Sequence, residues 1–350
     1  NMFGRRPGQQ NDLPPVMVGS HLDTQPTGGK FDGPLGVIAA LEIIKSLNEA
    51  DIKTKHPIEV VNWTNEEGCR FAPPTMSSGV FVGAYSLEWA HARQDASGKN
   101  FGDELVRIGW AGDKEVGKRP IAAFFELHIE QGPILEDTNT DIGVVTHGQG
   151  LHWWRIELNG KDAHSGSTPM HVRQNAGLGM AKIIVLVDEI AQSYTSQAVG
   201  TVGHVEFLPN ATNIIPGKAL CTIDFRSQHP EVLSKMDVAL KKGAENIAEE
   251  HGLKISFELV GDLEPVIFDQ KCVSSVRQAA DRLGYSYRDL ISGACHDAFW
   301  LSQVAPSAMV MCPCVGGLSH NEAEEITSYW ASASANVLFH AVLETAGISD

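Results

Sequence analysis

The chain has 350 residues, 43% of them hydrophobic and 20% charged, with no low-complexity tract, which is enough for two ordinary globular domains. Its net charge of −16 argues against nucleic acid or an anionic membrane surface as the main partner, and no apolar run approaches the roughly 20 residues of a spanning helix. The six cysteines, at 69, 221, 272, 295, 312 and 314, lack any CxxC spacing and read as thiols of a reducing, cytoplasmic compartment. The opening Asn1-Met2-Phe3-Gly4-Arg5-Arg6 reads as the middle of a strand–turn, so a preceding segment is expected.

Pro15-Val16-Met17-Val18 predicts a short buried strand, and it runs into Gly19-Ser20-His21-Leu22-Asp23-Thr24. His21 therefore closes a strand, Asp23 follows two residues on, and Asp32 stands in Lys30-Phe31-Asp32-Gly33-Pro34-Leu35-Gly36. Imidazole and carboxylate at strand ends beside glycine-rich turns suit a zinc-type divalent site. In such a site Asp23 would accept the second imidazole N–H of His21 and fix its tautomer. Asp32 has two oxygens and could bridge two ions. Taken alone, a surface histidine beside a polar turn accounts for the same residues.

Residues 34–47 follow with helical spacing and a proline in the first turn. Residues 56–63 predict a strand that ends in Thr64-Asn65-Glu66-Glu67-Gly68. Side chains of adjacent residues diverge, so one of these carboxylates can bind metal while the other faces the pocket as a general base. Residues 85–110 read as mixed helix and loop without a motif. Residues 121–128 predict a third strand, which ends on His128 and turns through Ile129-Glu130-Gln131-Gly132-Pro133. Open α/β sheets bind ligands outside the carboxyl ends of their strands, and three strand ends here carry His, Glu or Asp.

From residue 151 the pattern changes. Strand 151–158, a loop with His164, helix 174–194, strand 202–208, a polar loop at 210–217, strand 219–226, helix 230–251 and strand 254–260 follow in turn. That order predicts a ferredoxin-like α+β module over 151–262, inserted into an α/β catalytic domain of residues 1–150 plus 263–350. Beyond it come helix 269–283, a loop at 292–298 with His296 and Asp297, strand 308–311, a turn carrying His320, and a closing helix over 322–346. His147, His152, His171, His204 and His229 have no partner pattern and read as structural or surface residues.

The motifs GSHLDT, GGKFDGPLG, TNEEGCRF, HIEQGPILE, DAHSGSTPM, NATNIIPG and LSHNEAEE, in this order and over nearly the whole chain, resemble the dinuclear metallopeptidase superfamily of aminoacylases and carboxypeptidase G. More narrowly the chain resembles its amidase branch of N-carbamoyl-L-amino acid hydrolases, β-ureidopropionases and allantoate amidohydrolases. The resemblance implies a mixed-sheet metallopeptidase-like catalytic domain with an inserted lid and dimerisation domain.

It further implies two divalent ions per subunit, zinc first and manganese, cobalt or nickel as others such sites accept. One ion would take His21, Asp32 and His128, and the other Asp32, Glu67 and His320. Glu66 would be the general base and proton shuttle, and His164 would stabilise the oxyanion, with His164 or Asn213 serving either its own site or that of the neighbouring subunit. Gln131 would hold the carbamoyl group, and Arg226 and Asn213 the substrate carboxylate. His296 and Ala294 would add substrate contacts, in a loop where Cys295 replaces the glycine common in relatives. The implied reaction converts an N-carbamoyl amino acid to amino acid, ammonia and carbon dioxide, in a homodimer formed through the inserted domain. Allantoate is the alternative substrate. From another class stands a non-catalytic binding homologue, and a structural zinc protein is disfavoured because no Cys-rich tetrahedron exists.

Overall fold

The computed structural model describes residues 1–117 and 119–348. The chain divides into two compact units, one of Asn1–Gly148 with Ile267–Asp350 and one of Gln149–Val266.

The larger unit is built on an eight-stranded sheet. Its order is Met2–Arg6, Ile58–Trp63, Val16–His21, Ala123–Ile129, Ser307–Cys312, Ile142–Gly148 and Val266–Ile267, with Tyr287–Ser292 also pairing with Ile142–Gly148. The four strands from Ile58–Trp63 to Ser307–Cys312 are mutually parallel. Three of them, Val16–His21, Ala123–Ile129 and Ser307–Cys312, are buried along their whole length. Strands covered on both faces read as continuous apolar runs, and these do. The helices Pro34–Glu49, Gln270–Leu283 and Ser328–Ala346 pack against them.

The Met2–Arg6 strand joins this sheet at its edge, antiparallel to Ile58–Trp63. The segment over 85–110 holds two short helices, Leu87–His91 and Phe101–Arg107. The closing helix starts at Ser328 and not at Glu322. Asn321 Oδ1 accepts the Ala323 N–H, which turns the chain, and Thr327 accepts the Trp330 N–H and caps the helix. Among the described residues no helix is long and apolar enough to cross a membrane.

The smaller unit carries a four-stranded antiparallel sheet in the order Lys254–Leu263, Gly150–Asn159, Lys218–Ser227, Ala198–Leu208. Helices Ala176–Ser193 and Pro230–Glu250 cover one face. Ile156, Leu158, Ile183, Ile223, Phe225, Met236 and Leu240 form the core between them. The strand order is that of the ferredoxin-like module. The chain leaves the larger unit after Gly148 and returns at Ile267, where the Phe268 N–H donates to the Thr146 carbonyl at 3.1 Å.

Candidate metal centre

The parallel strands of the larger unit end at a common edge, and their carboxyl ends carry the ligand candidates. His21 is the last residue of Val16–His21, and His128 is next to last in Ala123–Ile129. Glu66 and Glu67 lie in the turn after Ile58–Trp63, and His320 lies beyond Ser307–Cys312. Asp32 sits two residues before the helix Pro34–Glu49. Gly33 between them has φ of +81°, and a Cβ there would stand 2.4 Å from the His21 ring. Only glycine meets both demands. Non-glycine residues with positive φ recur in these loops, at Asn65, Gln131 and His320. Such backbone costs of order 1–3 kcal/mol each and gathers at functional sites.

Two groups of three ligand atoms, each within 4.8 Å of one another, form here. One is His21, Asp32 and His128, all buried, and the other is Asp32, Glu67 and His320. His128 Nε2 is 3.0 Å and His21 Nε2 3.6 Å from Asp32 Oδ1. On the other side, His320 Nε2 is 3.4 Å from Asp32 Oδ2 and 3.5 Å from Glu67 Oε2. The two carboxylate oxygens of Asp32 thus face different groups. Nδ1 of His21 meets the Asp23 carbonyl and Nδ1 of His128 the Ile129 carbonyl, each at 2.9 Å. A carbonyl only accepts, so Nδ1 carries a proton and Nε2 is the atom left for an ion.

The carboxylate of Asp23 does not bond the His21 imidazole, whose Nδ1 is 3.8 Å away and takes the main-chain oxygen instead. It accepts the main-chain N–H groups of Glu66 and Glu67 at 3.2 and 3.0 Å. Asp23 therefore shapes the glutamate turn and holds the histidine through its backbone, which corrects the expected side-chain contact.

The electrostatics of the cluster are unbalanced without cations. Burial resists the charge on Asp32, yet His128, His21 and His320 around it hold its carboxyl far below the usual range. Burial opposes a charged His21, but Glu66, Asp32, Asp297 and Asp23 outweigh it and raise its pKa well above the ordinary value. Burial pushes the Glu66 carboxyl well above its usual value, and Asp297, Glu67 and Glu126 add to this against the pull of His21. Buried polar atoms are also left over: His21 Nε2 and Glu67 Oε1 make no hydrogen bond. Orphaned donor atoms of this kind, converging with surplus negative charge, fit divalent ions.

Gln131 donates from Nε2 to Asp32 Oδ2 at 2.8 Å and to Ser319 Oγ at 3.1 Å, and its Oε1 is shielded from water without a partner. His296 is buried, lies 3.1 Å through Nε2 from Ser292 Oγ, and its ring centroid is 4.4 Å from that of His128. The Ala294 carbonyl accepts from the same Ser292 hydroxyl at 2.8 Å.

In the smaller unit, His164 Nδ1 accepts the Gly166 and Ser167 N–H groups at 3.0 and 3.2 Å. The proton is therefore on Nε2, which is a donor on an exposed ring. The Asn213 carbonyl accepts the Ser165 N–H at 3.0 Å and joins that loop to the His164 loop. Arg226 faces Asp224 on its own strand, with Nη2 2.8 Å from Oδ2.

Several residues at the site had no role assigned from the sequence. Glu126 is fully buried, accepting from Ser20 Oγ at 2.8 Å and from the Ala298 N–H at 3.0 Å. Asp297, equally buried, accepts from Ser78 Oγ. Ser319 and Glu324 hold Asp32 by its side chain and its main chain respectively. A carboxylate inside the apolar strand AFFELHI was the visible signal for Glu126.

The profile of Peptidase family M20/M25/M40 matches residues 17–344. An N-carbamoyl-L-amino-acid amidohydrolase of Rhizobium meliloti is 58% identical over 347 residues, covering 99% of this chain and 83% of that protein. One of Geobacillus stearothermophilus is 36% identical, over 99% of this chain and 85% of its own. The crystal structure of an amidase of the hydantoinase/carbamoylase family from Burkholderia vietnamiensis superposes with a TM-score of 0.93 at 51% identity, over 98% of this chain and 83% of that one. The chain belongs to peptidase family M20/M25/M40 and, within it, to the hydantoinase/carbamoylase amidases.

Proposed function

We propose that the protein hydrolyses the carbamoyl C–N bond of N-carbamoyl amino acids, using two divalent ions, zinc foremost. The observation that carries this reading is the pair of three-ligand groups sharing Asp32, beside the buried Glu66, in a chain 58% identical to an N-carbamoyl-L-amino-acid amidohydrolase. One ion would be held by His21, Asp32 and His128 and the other by Asp32, Glu67 and His320. When bound, such ions supply Lewis acidity and bring the pKa of a water towards neutrality.

The chain's own residues do the rest. Glu66 takes the proton of the attacking water as its oxygen bonds to the ureido carbon, and returns it to the amino-acid nitrogen as the C–N bond breaks. The carbamate left behind falls apart to ammonia and carbon dioxide. The carbamoyl NH2 needs an acceptor, and Gln131 Oε1, which accepts from no other group, would be that acceptor. His164 Nε2–H, from its own or the neighbouring subunit, would be the donor for the developing oxyanion. Arg226, with its forked donors, would exchange Asp224 for the substrate carboxylate, beside Asn213. His296 and Ala294 would line the substrate pocket.

We infer a homodimer through the smaller unit. Ala198–Leu208 is an edge strand of eleven residues, and such an edge is a template for a second copy. A reducing, cytoplasmic setting suits the free thiols of Cys69, Cys221, Cys272, Cys312 and Cys314.

The test is ammonia release from N-carbamoyl-L-α-amino acids, N-carbamoyl-β-alanine, allantoate and an N-acetyl amino acid, with and without a chelator. Chelator-sensitive turnover of a carbamoyl amino acid is the expected result. Turnover of allantoate alone, or of none with two ions bound, would overturn the reading.

A further inference from the structure

Asp32 is held at both its side chain and its main chain. Gln131 and Ser319 donate to its Oδ2, and the main-chain clamp is Glu324. Glu324 is 1% exposed, and its Oε1 accepts the N–H groups of Phe31 and Asp32 at 2.8 and 3.0 Å. These partners are 293 and 292 residues away in sequence.

The neighbourhood is shaped for this carboxylate. A Cβ on Gly29 would stand 2.2 Å from the Glu324 carboxyl carbon, so the residue opposite the clamp must be glycine on grounds of space. Glu324 is itself steadied by the turn at Asn321, whose carbonyl accepts the Glu324 N–H at 3.0 Å. That turn follows His320 directly. One side chain therefore joins the loop carrying His320 to the loop carrying Asp32.

The geometry points to Glu324 as a positioning residue for the metal centre: its carboxylate fixes the main chain of Asp32, so that the two ligand groups form together. This rests on the dinuclear reading above, in which Asp32 is the ligand common to both ions. Removing the acceptor would orphan two N–H groups and release a segment, residues 22–33, that has no helix or strand of its own. Both sites would then loosen at once, whereas loss of an ordinary ligand such as His320 would loosen one.

The experiment compares Glu324→Gln, Glu324→Asp and Glu324→Ala with the parent chain. Zinc affinity and stoichiometry are read by competition with a chromophoric chelator, and ligand geometry by the visible spectrum of the cobalt-loaded protein. Gln keeps an oxygen at the clamp and is expected to bind within about threefold of the parent, with an unchanged spectrum. Asp keeps the charge but is one methylene short. Asp and Ala are both expected to weaken zinc at both sites by about 10–100-fold and to shift the cobalt bands. If Asp and Ala bind zinc as the parent does, the clamp is overturned and the dinuclear reading stands. If Gln is as weak as Asp, charge and not the accepted hydrogen bonds is at work, and the proposal fails. Should Ala not fold, the contrast between Gln and Asp still decides. Fewer than two ions in the parent would overturn the dinuclear reading, and this proposal with it.

Discussion

The Asp23 carboxylate holds the main chain of Glu67, accepting its N–H at 3.0 Å, while the other oxygen takes the N–H of Glu66 at 3.2 Å. The two glutamates are thereby oriented from a different strand end. Asp23→Ala is expected to cost about 1–2 kcal/mol of stability, because two N–H groups lose a charged acceptor at a partly exposed site. Activity should fall by about 10–100-fold as the glutamate turn relaxes. Urea denaturation and ammonia release measure the two effects. Asp23→Ala with unchanged stability would show that the turn holds itself.

Glu66→Gln is expected to lower kcat by about 10²–10⁴-fold, with both ions retained. The amide fills the same space and cannot take a proton. Steady-state ammonia release with metal analysis of the same sample checks this. Full activity with two ions bound would remove Glu66 from the proton path.

His320→Ala is expected to leave one tightly bound ion, because His21, Asp32 and His128 form a complete and buried group without it. Equilibrium dialysis followed by metal analysis gives the stoichiometry. Two ions at parental affinity would exclude His320 as a ligand.

His152 predicts a pH dependence in the smaller unit. Its Nδ1 lies 2.7 Å from Asp237 Oδ2, and this bond raises its pKa; burial opposes, and Asp262 and Glu264 add to the rise. A histidine whose folded pKa is raised contributes stability that is complete below its ordinary value of about 6.5 and is lost as pH climbs through the raised value. The parent chain should therefore lose stability over that window, and His152→Gln should flatten the loss. Urea midpoints across the window provide the measurement, and parallel curves for the two proteins would exclude His152 as the source.

Much of the candidate ligand set was legible because the buried parallel strands are short apolar runs that stop on a histidine or just before a polar turn. Val16–His21 and Ala123–Ile129 carry that signal in their own residues. Asp297 and Glu324 do not, and Glu126 shows only as a carboxylate within an apolar strand. Each acts on a residue far away in sequence, as Glu324 does on Asp32, and no local period marks such a partner. The strands Ile142–Gly148 and Tyr287–Ser292 also went unread. Tyr287–Ser292 is half exposed and, among the described residues, pairs only with Ile142–Gly148, so neither its pattern nor its composition sets it apart from a loop. The start of the last helix was misplaced because Asn321 and Thr327 both offer caps, and the side chain of Glu324 is drawn off to Asp32.

The hydrogen bond between Phe268 and Thr146 stitches the host sheet shut where residues 149–266 leave and return. The excursion is a closed loop with a bonded neck, so the entropy of bringing its ends together is met by the host alone. A shorter or longer excursion would change that cost only slightly, since it grows with the logarithm of length. The neck is thus a natural splice point. A chain that bypassed residues 149–266 with a tight connection would keep the register of the strands that carry His21 and His128 and of the one that leads into the Glu67 turn, and a different cassette could be set in the same place.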